Sequence, residues 1–183
     1  MDGRRDVIDR LASAGIPCFV TGSEAMAVIG VAYRATNDID LVLDLTPSAY
    51  DDRLRPAFEP EYLVASLLHV GPRWMGSAIR SRGEVYKADF VIREPDSWGV
   101  EALARVLEVD DPGLGVVRVS TPEDLLLAKL EFADGDLDGQ QGRDISRLLT
   151  ALWPTLDRAY VHRHAAGLGV SHLLEEALRR AGA

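Results

Sequence analysis

The feature that most constrains the fold is a change of texture at Thr121. Before it, short runs of branched apolar residues with the two-residue alternation of strands interleave with helical stretches; after it, every segment reads as helix. The break carries its own start signal. Thr121 stands at an N-cap, Pro122 at the first helical position, and Asp124 completes a capping-box pattern ahead of LLLAKLEFA. Strands with helices first and helices alone at the end point to an α/β or α+β core carrying a helical C-terminal portion, and of the two we read α+β. The expected form is a small mixed sheet flanked by helices, with a C-terminal helical bundle. We expect residues 1–120 to form the core and residues 121–183 to form a helical portion packed on it.

Within the first part, residues 4–14 read as an amphipathic helix stopped by Gly15 and Pro17. CFVTG (18–22) is a short strand, and SEAMAVIGV (23–31) a helix with Ser23 as its N-cap. DIDLVLDL (38–45) reads as a strand, and Thr46-Pro47 opens a helix through about Ala57. Residues 61–68 fit strand or helix equally. Arg82-Gly83-Glu84 reads as a turn between SAIRS and an alternating strand over 85–92. A helix over Ser97–Leu107 and a strand over 116–120 follow, and helices over 143–153, 156–166 and 171–181 complete the chain.

Composition removes several classes. A single cysteine, Cys18, among 183 residues excludes an internal disulfide framework and a cysteine-cluster zinc site. Lys plus Arg number 20 against 29 Asp plus Glu, a formal charge of −9. That argues against duplex nucleic-acid binding driven by bulk charge, while leaving room for a local basic groove. No apolar run reaches the roughly 18 residues of a membrane span. The opening MDGRRDVIDRLASAG lacks a signal peptide's apolar stretch. The expectation is an acidic, soluble, cytoplasmic protein with no membrane partner.

The chemistry concentrates in TGSEAMAVIGVAYRATNDIDLVLD (21–44). Asp38 and Asp40 are two apart, so on a strand they share a face, roughly 6–7 Å apart at Cα. Two such carboxylates can span a pair of divalent cations about 3.5–4 Å apart, as in two-metal phosphoryl transfer. Mg²⁺ suits them, being bound through few carboxylates plus substrate phosphates. A bare D-x-D is more often a solvated strand face. Here Gly22-Ser23 sits between a strand and a helix, either as an ordinary turn or as a place where glycine lets a phosphate approach and the exposed amides of the helix start donate to it. A third acid, Asp89, stands in KADFVI with Phe90 and Ile92 pointing away from it into the core.

Taken together, GSEAMAVIG…YRATNDIDLVLD followed by KADFV resembles the nucleotidyltransferase superfamily with the DNA-polymerase-β type of fold. STPEDLLLAKLEF…GRDISRLL and LDRAYVHRHAAGLGVSHLLEEAL are similar to the C-terminal part of small bacterial nucleotidyltransferase-like proteins, so the resemblance spans nearly the whole chain. Their relatives include minimal antibiotic-modifying adenylyltransferases and abortive-infection or toxin–antitoxin nucleotidyltransferases. The resemblance implies Gly22 and Ser23 on a triphosphate, Asp38 and Asp40 as metal ligands, and Asp89 as third ligand or base. It also favours Lys129 as a phosphate contact. The interval from Ser23 to Asp38 is longer than in compact members.

Further candidates surround this set. Arg34 can clamp a phosphate with its planar fork, or lie on the surface; Thr36 can bond phosphate or merely start a turn. Lys129 falls inside an apolar helical stripe with Leu125, Leu126, Phe132 and Ala133, so it either snorkels to the rim or reaches a phosphate. Losing a buried charge, Lys129→Met is expected to hold or raise stability. Arg143 and Asp144 either orient that lysine or pair with each other. DGDLDG (134–139) imitates half an EF-hand loop, but Ile145 stands where the bidentate glutamate belongs, which rejects calcium. His69, His162, His164 and His172 show no metal spacing, and Cys18 reads as a small core residue.

The expected function is metal-dependent transfer of a nucleoside monophosphate from a nucleoside triphosphate to an acceptor hydroxyl. Asp38, Asp40 and Asp89 hold two Mg²⁺ or Mn²⁺ ions; Gly22, Ser23, Arg34, Thr36 and Lys129 hold the nucleotide, ATP included. The acceptor stays open between tRNA, protein and a small molecule, with a cationic one such as an aminoglycoside suiting the acidic charge. The alternative is a non-catalytic nucleotide-binding or toxin–antitoxin regulatory module on the same fold, engaging a partner protein. A helical adaptor built on residues 121–183 is a third reading, resting only on amphipathicity.

Overall fold

The computed structural model describes residues 3–32, 38–82 and 87–182. Its strands are β1 (Cys18–Thr21), β2 (Ile39–Leu43), β3 (Tyr62–Val64), β4 (Leu68–Gly71), β5 (Trp74–Ser81), β6 (Lys87–Arg93), β7 (Leu107–Asp111) and β8 (Gly115–Val119). They form one mixed sheet in the order β3-β5-β6-β2-β1-β8-β7, with β4 also paired to β5. β2 runs parallel to β6 and β1 parallel to β8, while the remaining pairs are antiparallel. Because side chains alternate, the register divides the central strands cleanly. Ile39, Leu41, Ala88, Phe90 and Ile92 share one fully buried face. Asp40, Val42, Asp89, Val91 and Arg93 share the other.

The α-helices are α1 (Gly3–Ser13), α2 (Gly22–Val28), α3 (Arg55–Phe58), α4 (Ser97–Arg105), α5 (Pro122–Phe132), α6 (Gln140–Leu152), α7 (Arg158–Leu168) and α8 (Ser171–Ala181). On the apolar face, Phe58 of α3 packs against Phe90 with ring centroids 5.5 Å apart. The opposite face is covered by α4 and α5. Trp74 of β5 meets Phe132 of α5 at 5.2 Å and Trp98 of α4 at 6.2 Å. The Arg93 guanidinium lies over both indoles, 4.7 Å from Trp74 and 4.2 Å from Trp98. It also donates to Glu131 (2.6 Å) and Asp96 (2.6 Å), and the Trp74 indole donates to Glu131 at 2.7 Å. A carboxylate this buried is tolerable because its oxygens are satisfied.

Local chemistry explains where the elements depart from the sequence reading. Thr121 caps α5 as expected, accepting from the Asp124 amide at 3.2 Å. The Asp124 carboxylate does not reach back in a capping box. It accepts instead from the Trp98 indole, the Tyr160 phenol and the Thr121 hydroxyl at 2.8, 2.6 and 2.6 Å, tying α4, α5 and α7 together. The helix expected from Thr46 to Ala57 is broken into a 3₁₀ turn (Pro47–Ala49), a wider π turn (Tyr50–Leu54) and α3. Pro56 is the reason, since it has no N–H for the carbonyl four residues back. The ambiguous 61–68 stretch contributes to two strands, β3 and β4. The helix expected to reach Leu107 ends at Arg105, and Leu107 opens β7, a strand not read from the sequence. Its hairpin with β8 is turned by Asp111, which accepts from the Gly113 and Leu114 amides. The helix read from 143 starts at Gln140, and the one read from 156 starts at Arg158 behind an Asp157 cap. Of the turn expected at 82–84, Gly83 and Glu84 lie outside the described residues. Among the described residues no helix is long and apolar enough to cross a membrane.

Candidate active site

The polar face of the sheet is built by two strands far apart in sequence. β2 and β6 are parallel neighbours, and their register places Asp40 directly opposite Asp89. The third acid, Asp38, sits exposed at the bend just before β2. On the other side of β2, antiparallel β1 ends with Thr21 opposite Asp40. The chain then turns sharply at Gly22 into α2. Thr21 occupies the cap position, not Ser23 as expected, because the extended conformation of β1 persists through Thr21.

Gly22 is required twice over. Its φ is +63°, and a Cβ there would sit 2.0 Å from Asp40 Oδ2. That close approach brings the Ser23 amide onto the Asp40 carboxylate as a hydrogen-bond donor. Even so, burial pushes the Asp40 carboxyl up from 3.8 to about 6, with the Asp89 charge adding to the effect. Lys129, the Ser23 amide and Lys87 oppose it.

Lys129 does not snorkel. It is 5% exposed and its Nζ donates to Asp144 Oδ2 at 2.6 Å, with Gln141 Oε1 at 3.4 Å. Asp144, 2% exposed, also accepts from Gln140 at 3.0 Å. The lysine's partner is therefore Asp144 of α6. Arg143 turns away to the Asp138 carbonyl and the Gln140 amide oxygen, each at 3.1 Å. Lys129, Asp144, Asp40, Gly22 and Ser23 converge on one cavity of about 240 Å³, floored by Val91 and walled by Trp74 and Phe132. A larger apolar cavity of about 440 Å³ lies further along the same face, over Val42, Asp44 and Trp98, and shares Thr21, Trp74 and Ala128 with it.

One member of the site was not read from the sequence. Lys87 lies two residues before Asp89 and on the same face of β6, and its Nζ donates to Asp89 Oδ2 at 2.6 Å. That hydrogen bond, and then the charges of Asp89, Asp38 and Asp40, raise its pKa, so it stays an ammonium ion. The signal was available: the alternation that aligns Asp38 with Asp40 also aligns Lys87 with Asp89. Arg34 and Thr36, named as nucleotide contacts, lie outside the described residues. The four histidines are elsewhere; His164 pairs with Glu101 at 2.9 Å and His162 faces Glu175 at 3.7 Å. The Cys18 thiol, partly buried, is pushed up to about 11.

Among the described residues no three His, Cys, Asp or Glu side chains converge on one metal position. The donor set nonetheless suits a hard divalent cation. Asp40 and Asp89 present carboxylates in register, and Mg²⁺ is commonly held by one or two carboxylates with substrate phosphates completing the shell. An ammonium ion already lies on Asp89, so this corner of the site accepts positive charge.

No protein-family model matches the chain, and no curated protein matches it. Solved structures do. The chain is similar to the solution structure of the antibiotic-resistance factor ANT(2'')-Ia, with TM-score 0.57 and 18% identity, covering 94% of this chain and 99% of that one. It is also similar to the crystal structure of ANT(2'')-Ia in complex with adenylyl-2''-tobramycin, with TM-score 0.53 and 16% identity, covering 89% of this chain and 92% of that one. With acids on two parallel neighbouring strands of a mixed sheet and helices closing over them, the chain has the nucleotidyltransferase fold.

Proposed function

We propose that the protein moves a nucleoside monophosphate from a nucleoside triphosphate to an acceptor hydroxyl, with Asp38, Asp40 and Asp89 holding two Mg²⁺ or Mn²⁺ ions. The observation that carries this reading is the register of Asp40 with Asp89 beside the Gly22 turn. Such ions, when bound, neutralise charge on the reacting phosphate and on the departing pyrophosphate. Residues of the chain do the rest. Lys129, held by Asp144 at one edge of the cavity, supplies a fixed positive charge to the triphosphate. Gly22 and Ser23 let the phosphates approach the backbone. The acceptor oxygen attacks the α-phosphorus, the bond from that phosphorus to the bridging oxygen breaks, and pyrophosphate leaves with the bonding pair. Asp89, whose side chain is 34% exposed, takes the acceptor's proton. Residues 1–120 form the catalytic core in this reading, with 121–183 as the helical portion that brings Lys129.

The acceptor class we favour is a polycationic small molecule. The chain's charge of −9 suits one, and the similarly folded ANT(2'')-Ia was solved with adenylyl-2''-tobramycin. The test is to incubate the protein with α-labelled nucleoside triphosphates, Mg²⁺ or Mn²⁺, and separate pools of aminoglycosides, tRNA and protein. Label should appear in one pool with the parent and disappear with Asp40→Asn. If the parent binds Mg²⁺ and nucleotide yet labels nothing, the non-catalytic binding module replaces this reading.

A further inference from the structure

Twenty basic residues are spread over this chain, and eighteen of them are arginine. The two lysines, Lys87 and Lys129, both act on Asp40. Lys129 is locked by buried Asp144, but Lys87 stands at the rim, its side chain 46% exposed and its Nζ on Asp89. The choice of lysine has a physical consequence. An arginine fork tends to hold a carboxylate through two fixed hydrogen bonds, whereas an ammonium is a point charge on a flexible four-carbon stem that can let go. Elsewhere on the same sheet face the chain uses the fork: Arg93 grips both oxygens of Asp96, through Nε at 3.3 Å and Nη2 at 2.6 Å.

The geometry around Lys87 is an array of charges at one sheet face. Asp89 faces Asp40 across the β6–β2 register, Lys87 opens β6, and Asp38, at the bend just before β2, is close enough for its charge to act on Lys87. The array carries three negative charges and one positive. Lys87 already holds one of the two Asp89 carboxylate oxygens, Oδ2, and its positive charge would oppose a divalent ion bound at Asp89. A triphosphate entering from the Lys129 side would bring several negative charges, and the exposed Lys87 stem is free to follow them away from Asp89.

We propose that Lys87 is the displaceable counter-cation of the acid cluster: it competes with divalent metal at Asp89 in the nucleotide-free protein, so that full metal loading waits for the triphosphate. This rests on the reading of Asp40 and Asp89 as metal ligands. The test is Mn²⁺ titration followed by electron paramagnetic resonance, with and without a non-hydrolysable nucleoside triphosphate analogue, on the parent, Lys87→Met, Lys87→Arg and Asp40→Asn. Lys87→Met should bind Mn²⁺ about tenfold more tightly than the parent without nucleotide, about 1.4 kcal/mol. The gain in affinity on adding the analogue should shrink by a similar factor. Lys87→Arg should bind free Mn²⁺ no better than the parent. Unchanged or weaker Mn²⁺ binding by Lys87→Met, with the parent binding measurably and Asp40→Asn not, overturns the proposal and leaves the metal reading standing. If the parent takes up no Mn²⁺ in either condition, the metal reading itself falls.

Discussion

Asp40 offers a test that needs neither substrate nor activity. Its carboxyl is raised from 3.8 to about 6, chiefly by burial and then by the Asp89 charge. The folded state therefore holds the proton more tightly than the unfolded chain. Between those two values the folded state binds more protons, so stability falls as pH rises and the penalty is complete above about pH 6. A shift of about 2 units at about 1.4 kcal/mol each sets the penalty at about 3 kcal/mol, an upper value that relaxation of the site reduces toward about 2. Asp40→Asn keeps the size and an acceptor oxygen for the Ser23 amide but removes the charge. At pH 7.5 in EDTA the variant should melt about 4–8 °C above the parent, at the 2–4 °C per kcal/mol typical of this chain length. At pH 4.5 the parent is largely protonated when folded, and the gap should contract to about a third. Thermal melts of both proteins at the two pH values decide it. A gap of equal size at both, or a variant that melts lower at pH 7.5, would refute the reasoning. Mg²⁺ at pH 7.5 should raise the parent's melting temperature and leave the variant's unmoved, since a ligand that binds only the folded state stabilises it.

Other perturbations follow from the same geometry. Gly22→Ala forces a Cβ 2.0 Å from the Asp40 carboxylate at positive φ, so melting temperature and Mn²⁺ affinity should both drop. The sequence suggests that Lys129→Met is harmless to stability; the structure reverses this, because buried Asp144 would lose the cation that balances its charge. Urea denaturation should show a loss of about 3–5 kcal/mol for Lys129→Met, and Lys129→Met with Asp144→Leu should recover much of it while nucleotide affinity stays low. Asp89→Asn should leave nucleotide binding within about tenfold, or about 1.4 kcal/mol. Transfer to the labelled acceptor should fall by at least about a hundredfold, the scale of lost general-base help. Survival of transfer would remove Asp89 from the base role.

Much of this architecture is legible in local pattern. Thr121-Pro122 announces α5 because a cap and a helix-start proline act within one turn of chain. The shared face of Asp38 and Asp40, and the inward aim of Phe90 and Ile92, follow from strand alternation alone. What periodicity cannot supply is which strand lies beside which. β2 and β6 are separated by three intervening strands in sequence, and only the closed sheet sets Asp40 against Asp89. The same holds for Lys129. Its place in an apolar stripe shows in the sequence, but whether it reaches solvent or a partner was settled by Asp144, contributed by the next helix. β7 escaped for a related reason: LEVDD has a weak apolar rhythm and is a strand because β8 supplies its hydrogen bonds. A local pattern determines a residue's face and an element's ends, because those depend on neighbours a few positions away. Burial, charge pairing and the raised Asp40 carboxyl depend on groups that the chain brings together only once the core has closed.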